Sequence, residues 1–282
     1  MKKSFFLFLI LATAALFLNL FANAQTSSNL QVKVEGKGKQ VAIFIPGFTC
    51  SGDVFKETAA ALNKDYTCHI FTMPGYAGAP ADANPSLEKW ADEIVAYVRK
   101  NHLTKPVIIG HSLGGGMALM LATKYPDVFS KLVIVDALPC LNAAFNPEFK
   151  SVEHPDCSKM AARIMPLSDS AMYKMQLANL QRLIVDTVHR EEIAMWGVKS
   201  DRKTYLDTYC EFYNMDQRQS ITAIKIPTLV LLESVFANYK PAIESQYTNL
   251  KTATLKYATK GLHFIMYDDQ EWYLNQITEF LR

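Results

Sequence analysis

A serine occupies the centre of the glycine-rich motif Gly110-His111-Ser112-Leu113-Gly114. A strand-like apolar run, Val107 to Ile109, precedes the motif, and the apolar residues Met117 to Leu119 follow it as the start of a helix. Glycines two residues before and after the serine allow a sharp bend, because a Cβ at either position would clash across it. Such a bend exposes the hydroxyl beside a helix N-terminus, whose free N–H groups favour an oxyanion. The motif predicts that Ser112 attacks carbonyl carbons; the alternative is a structural serine in an ordinary turn.

A serine hydroxyl becomes a good nucleophile only when a base takes its proton. The chain has six histidines, and His263 alone follows the last predicted strand, in Gly261-Leu262-His263-Phe264. His111 lies inside the serine motif, where its ring is expected to point away from Ser112. Structural roles are expected for the other four, His69, His102, His154 and His189. His263 is therefore the predicted base.

The stretch Gly110 to Gly115, with its flanking strand and helix, resembles the nucleophile elbow of the α/β-hydrolase family. That resemblance implies a base in the loop after the last strand, where His263 stands. It also implies an oxyanion hole built from two backbone N–H groups, those of Leu113 and Phe48. Phe48 follows Pro46-Gly47 at an earlier strand end, where the family usually has histidine in place of the proline. The backbone role of Phe48 does not depend on that difference.

The carboxylate that orients the base is less clear from the sequence. The family usually places it a few residues beyond the strand Ile226 to Glu233, but no aspartate occurs between Asp216 and Asp268. Asp136, at the tip of the strand after the elbow helix, is the favoured candidate, and Glu233 is the alternative. Another acid, or none, also stays open at this stage.

Strand-like apolar runs alternate with segments of helical spacing on both sides of the serine motif. The predicted strands after the edge strand at residues 31–34 are 41–45, 67–72, 107–109, 132–136, 226–233 and 253–257. Alternation of this kind predicts an α/β fold, with a mostly parallel central sheet and helices on both faces. Catalytic groups are then expected at the carboxyl ends of the strands. The predicted hydrolase core comprises residues 25–138 and 221–282.

Residues 139–220 carry no strand-like run and are rich in methionine and aromatic residues at helical spacing. We expect this segment to be an inserted helical cap over the active edge of the sheet. Methionine suits a pliable apolar pocket. A stripe of this type is also common in ordinary helical cores, so the sequence leaves open which of these residues line a pocket.

Residues 1–24 have the pattern of a secretory signal peptide. Lys2 and Lys3 precede the apolar run Phe5 to Phe21, and Ala22-Asn23-Ala24 matches a small-residue cleavage site. Cleavage before Gln25 and export to the periplasm or the medium are predicted, with no stable membrane insertion of the mature chain. The alternative is an uncleaved anchor, since the run approaches membrane-spanning length.

Charge and cysteine content limit the partners that the chain is expected to have. Removing Lys2 and Lys3 from 29 basic residues leaves 27, equal to the 27 acidic ones, so no nucleic-acid partner is expected. Five cysteines leave at least one free thiol, and a Cys140–Cys157 bridge is the expected pairing. Since no CxxC or His-x-x-x-His spacing occurs, no metal site is expected, and serine chemistry needs no cofactor.

Together these features predict an exported serine hydrolase that cleaves carboxylic esters or lactones through an acyl-enzyme. The expected substrate is a small molecule with an apolar acyl part under the cap. Alternatives are carbon–carbon bond hydrolysis, acyl transfer or cofactor-free haloperoxidase activity on the same serine, or a non-catalytic binding protein on this fold. The physiological substrate and the oligomeric state stay open.

Overall fold

Seven strands form one sheet in the computed structural model, which describes residues 29–282. The strands are β1 (Gln31–Glu35), β2 (Gln40–Ile45), β3 (Tyr66–Thr72), β4 (Val107–His111), β5 (Leu132–Val135), β6 (Thr228–Leu232) and β7 (Ala253–Tyr257). Their order is β1-β3-β2-β4-β5-β6-β7, and within the described residues only the pairing of β1 with β3 is antiparallel. The predicted mostly parallel α/β sheet is confirmed. The predicted leader lies outside the described residues.

The central strands are buried on both faces, which explains their continuous apolar sequences. Successive side chains of a strand point to opposite faces. Thus Ile43 and Ile45 of β2 enter one hydrophobic cluster, whereas Ala42 and Phe44 enter the cluster on the other side. The sheet is therefore a rigid middle layer, and its carboxyl edge can hold side chains in fixed positions.

Helices cover both faces of this sheet. Those of the core are α1 (Lys56–Leu62), α2 (Leu87–Lys100), α3 (Leu113–Lys124), α8 (Lys240–Gln246), α9 (Ile265–Asp268) and α10 (Gln270–Leu281), with four cap helices between α3 and α8. Ser86 begins α2 by accepting a hydrogen bond from Lys89 N–H. Helix α3 starts directly after Ser112 and is buried over most of its length, because nearly all its residues are apolar or glycine.

The segment between β5 and β6 contains the cap helices α4 (Ser158–Ile164), α5 (Asp169–Leu180), α6 (Thr187–Lys199) and α7 (Arg202–Asn214). Side chains of Ser168, Asp186 and Asp201 accept hydrogen bonds from the first turns of α5, α6 and α7. Helix α7 is attached to the core, because Thr208 Oγ1 lies 2.6 Å from the Tyr76 hydroxyl. None of the helices within residues 29–282 is both long and apolar enough to cross a bilayer.

One disulfide joins the cap to itself. Cys157, just before α4, is bonded to Cys210 of α7, with their Cα atoms 6.1 Å apart. The expected Cys140–Cys157 pairing is wrong, since Cys140 is a buried free thiol next to the end of β5. Its backbone N–H donates to Gln246 of α8, which ties it to the core rather than to the cap. Packing of α7 against the cap's first helix, and not spacing along the chain, selects the partner of Cys157.

Candidate active site

Ser112 lies in the bend between β4 and α3 and has a left-handed backbone, with φ 53° and ψ −120°. Its N–H donates to Val135 O at 2.9 Å, which holds the bend against the next strand. A Cβ at Gly110 would lie 2.2 Å from Gly114 O, and one at Gly114 would lie 2.1 Å from Ile45 O. A backbone of this type in a non-glycine residue costs about 1–3 kcal/mol. The bend therefore requires both glycines, as the sequence motif implies.

The two predicted oxyanion donors come from neighbouring segments. Leu113 is the first residue of α3, and its N–H is one of the unpaired donors of a helix N-terminus. Phe48 follows Gly47, where an added Cβ would lie 3.3 Å from Ser112 Cβ, so this loop passes beside the serine. Within residues 29–282 neither Phe48 N–H nor Leu113 N–H has a hydrogen-bond partner. Both are free to bind an anionic oxygen.

His263 and Asp136 meet at the carboxyl edge of the sheet. His263 Nδ1 lies 2.6 Å from Asp136 Oδ2, and the Asp136 side chain is almost completely buried. The other carboxylate oxygen, Oδ1, accepts the backbone N–H of Glu233 at 2.6 Å. A carboxylate on Nδ1 favours the tautomer whose Nε2 carries a free lone pair. The pair is thus arranged as a general base and the acid that orients it.

Glu233, the alternative acid, is half-buried, and within the described residues its carboxyl makes no hydrogen bond. Burial, together with the nearby negative charge of Asp136, raises the pKa of the Glu233 carboxyl to about 7. Burial by itself lowers the pKa of His263, but the hydrogen bond and charge of Asp136, with a smaller contribution from Glu233, raise it above its usual value. The ring is therefore poised to take up a proton.

His111 contacts the loop that carries His263, residues 258–264 after β7, which we call the base loop. The sequence position of His111 did not indicate this role. Its Nε2 lies 3.0 Å from His263 O, and the two imidazole rings are 4.8 Å apart between centroids. Complete burial, and then the proximity of His263, lower the pKa of His111 well below its usual value. A neutral His111 donates its Nε2–H to that carbonyl and adds no positive charge beside the base.

Asp268 was also missed by the sequence analysis. Its carboxylate accepts the N–H of Leu262, next to the base, and the N–H groups of Val185 and Asp186 in the cap. Phe264 N–H donates to Leu183 O from the other side of His263. The base loop is therefore bonded to the α5–α6 connection of the cap. No sequence motif signals this link.

The cap's aromatic residues lie close to the oxyanion loop. The Phe48 ring is 4.5 Å from the Tyr205 ring and 5.2 Å from the Tyr209 ring, both on α7. The cap methionines have different environments: Met172 is fully buried in the cap's own core, whereas Met165 is more than half exposed.

Among residues 29–282 no three His, Cys, Asp or Glu side chains are grouped so as to hold a metal ion.

The sequence profile of the alpha/beta hydrolase fold family matches residues 41–234, more than half of the chain. The chain belongs to that family. The match runs from Val41 in β2 to Ser234 and so includes the elbow, Asp136 and the whole cap segment. His263 lies beyond the matched region, in the loop after β7.

Individual relatives cover different parts of the chain. A pimeloyl-[acyl-carrier protein] methyl ester esterase of Vibrio atlanticus is 31% identical over 121 residues, which are 43% of this chain and 45% of the esterase. This chain thus spans under half the length of that relative. An sn-1-specific diacylglycerol lipase of Mus musculus is 24% identical over 251 residues, 85% of this chain and 80% of the lipase. A solved hydrolase from Pseudomonas aeruginosa superposes with a TM-score of 0.75 at 15% identity, covering 89% of this chain and 94% of its own.

Proposed function

We propose that the protein is an exported serine hydrolase that cleaves carboxylic esters, including lactones. The observation that carries the proposal is the 2.6 Å contact between His263 Nδ1 and Asp136 Oδ2, at the same sheet edge as the strained Ser112 bend. A base, its orienting acid and a half-buried serine at one edge form an arrangement suited to acyl transfer.

In the first half of this reaction His263 Nε2 takes the Ser112 hydroxyl proton as the serine oxygen attacks the ester carbonyl. The N–H groups of Phe48 and Leu113 stabilise the negative charge on the carbonyl oxygen. His263 then gives its proton to the departing alcohol, and an acyl-serine is left. In the second half water attacks the acyl group while His263 takes the water's proton. His263 then gives that proton to Ser112 Oγ as the acyl–serine bond breaks, which releases the carboxylic acid and restores the free serine and the neutral base.

Asp136 keeps the imidazole in the required tautomer and stabilises its cation when the proton is held. The neutral state of His111 assists this step, because a second charged imidazole at 4.8 Å would disfavour that cation. The ester substrates named for the Vibrio and mouse relatives support a carboxylic ester as the bond that is cleaved. The apolar and aromatic cap residues around Phe48 support an apolar substituent on that ester.

The proposal is tested with p-nitrophenyl esters and the protein from Gln25 onward. Ser112→Ala is expected to lower kcat by about 10⁴-fold or more, and Asp136→Asn by about a hundredfold or more. Glu233→Gln is expected to lower it less than tenfold, because the Glu233 carboxyl makes no bond to the ring within the described residues. If Glu233→Gln costs more than Asp136→Asn, the acid is misassigned. If wild type cleaves no ester and binds no serine-directed phosphonate, the hydrolase proposal fails.

Export is tested separately from catalysis. Intact-mass measurement of the protein recovered from the cell envelope and medium of a bacterial host is expected to show a chain that starts at Gln25. A chain that keeps residues 1–24 and sediments with membranes would instead support the uncleaved anchor.

A further inference from the structure

Three tyrosines form a stripe along helix α7. Tyr205, Tyr209 and Tyr213 are spaced by four residues, which places them on one face of the helix. Their exposure rises along the helix: Tyr205 is 8% exposed, Tyr209 is half-buried and Tyr213 is 45% exposed. The tyrosine stripe therefore runs from the interior of the cap to its surface.

The inner end of the tyrosine stripe contacts the candidate oxyanion residue. Ring centroids are separated by 4.5 Å between Phe48 and Tyr205, 5.2 Å between Phe48 and Tyr209, and 5.8 Å between Tyr209 and Tyr213. The last two rings are nearly parallel, at 12°. A continuous aromatic surface thus leads from solvent to Phe48, which follows Gly47 in the loop that passes beside Ser112.

Other faces of α7 hold the helix in place. Thr208 bonds to Tyr76 of the core, and Phe212 packs against the elbow helix, with its Cε2 3.2 Å from an ideal Cβ on Gly116. The rings of Tyr209 and Tyr213 contact Phe48 and each other, and the Tyr213 carbonyl accepts a hydrogen bond from Asn142 Nδ2. Within residues 29–282 the hydroxyls of both tyrosines have no hydrogen-bond partner, and both rings are only partly buried. Each ring therefore keeps part of its aromatic surface open to a ligand.

We propose that the tyrosine stripe binds an aryl group carried by the ester, which makes Tyr209 and Tyr213 specificity-determining residues. The assignment rests on the proposed esterase function. Aromatic rings gain favourable edge and stacking contacts beyond plain apolar burial, and tyrosine has few rotatable bonds to immobilise. The aryl group belongs either to the acyl part or to the alcohol part of the ester, and the two cases are separated by experiment.

Four esters with matched sizes provide the test: methyl 3-phenylpropanoate, methyl 3-cyclohexylpropanoate, 2-phenylethyl acetate and 2-cyclohexylethyl acetate. Hydrolysis is followed by pH-stat, so that no aromatic chromophore is needed. For wild type, kcat/KM is expected to be about three- to tenfold higher for a phenyl ester than for its cyclohexyl counterpart. The pair that shows this preference identifies the side of the ester that carries the ring.

Variants then locate the source of the preference. Tyr209→Leu and Tyr213→Leu are expected to reduce the phenyl/cyclohexyl ratio toward one, whereas Tyr209→Phe keeps it because the ring remains. Tyr125→Leu, at the far end of the elbow helix from Ser112, is the matched control and is expected to keep the wild-type ratio. Tyr213 is largely exposed, so its leucine variant is expected to fold even if the Tyr209 variant does not.

Equal rates for phenyl and cyclohexyl esters in wild type overturn the assignment, as does a preference that survives both leucine variants. If wild type hydrolyses none of the four esters nor any p-nitrophenyl ester, the proposed function itself fails, and the aryl assignment falls with it. Hydrolysis without ring preference leaves the esterase proposal standing and rejects only the role of the tyrosine stripe.

Discussion

Two carboxyl groups at adjacent strand ends, Asp136 and Glu233, have different environments although both influence His263. Asp136 is held by the His263 ring and by Glu233 N–H, so its charge is satisfied by two short hydrogen bonds. The Glu233 carboxyl is partly buried but accepts no hydrogen bond within the described residues, and its pKa rises to about 7. Removing water from a carboxylate disfavours its charged form unless donors replace that water. The two carboxyl groups thus differ in the number of hydrogen-bond donors that face them: two at Asp136 and none at Glu233 within the described residues.

This difference predicts a pH-dependent stability. An ordinary glutamate has a pKa of 4.5, whereas folded Glu233 titrates at about 7. Between these values the unfolded chain loses a proton that the folded chain retains, so Glu233 lowers stability increasingly as pH rises from about 4.5 to about 7. Glu233→Gln is expected to stabilise the protein by on the order of 1–3 kcal/mol at pH 8 and little at pH 4.

Urea denaturation at several pH values measures this effect. Glu191→Gln on the exposed surface of α6 is the control and should show no such trend. A stabilisation by Glu233→Gln that is the same at pH 4 and pH 8 would contradict the assigned titration.

At the scale of elements, the elbow joins β2, β4 and α3 at one point. Gly110 and Gly114 permit the backbone of the bend to approach itself and the end of β2. Gly116, two residues further into α3, faces the Phe212 side chain instead. These three glycines look alike in the sequence. A Cβ added at Gly110 or Gly114 would clash with backbone atoms, which cannot move independently, whereas one at Gly116 would touch only side chains.

Alanine substitution separates these cases. Gly114→Ala would put a Cβ 2.1 Å from Ile45 O, and we expect it to lower the free energy of unfolding by about 3 kcal/mol or more, or to prevent folding. Gly116→Ala meets Phe212 Cε2 at 3.2 Å, where a small side-chain shift suffices, so a change under about 1 kcal/mol is expected. Thermal unfolding of both variants is the measurement. Equal Tm values would show that the tight approach at Gly114 is not required.

For the whole molecule, the base loop is the place where sheet, elbow and cap meet. His111 binds the carbonyl of His263, and Asp268 and Leu183 bind the N–H groups on either side of it. The cap therefore contacts this edge of the sheet both through the base loop and through α7, whose Tyr205 and Tyr209 rings lie against Phe48. We expect changes in the cap to alter the position of the base as well as substrate fit.

Asp268→Ala tests this connection. The variant loses the acceptor for Leu262, Val185 and Asp186 N–H groups, so we expect it to destabilise the fold by about 1–3 kcal/mol. In the proposed mechanism a displaced His263 slows proton transfer, so kcat is expected to fall about tenfold at a temperature where the variant is fully folded. Asp156→Ala removes an aspartate of the cap segment that accepts only Ser158 N–H among the described residues, and it should leave kcat near wild type. An unchanged kcat in Asp268→Ala would mean that the link supports stability only.

Local sequence determined the alternation of strands and helices, the Ser112 bend and the candidacy of His263. Apolar periodicity and the steric needs of glycine act within a few residues, so they can be read without knowing the fold. Only the tertiary structure decided which carboxylate meets His263, how Cys157 pairs, and that His111 and Asp268 hold the base loop. These contacts join residues that are 127, 53, 152 and 83 positions apart. Such pairs depend on strand order and on how the cap packs, and no local pattern encodes either.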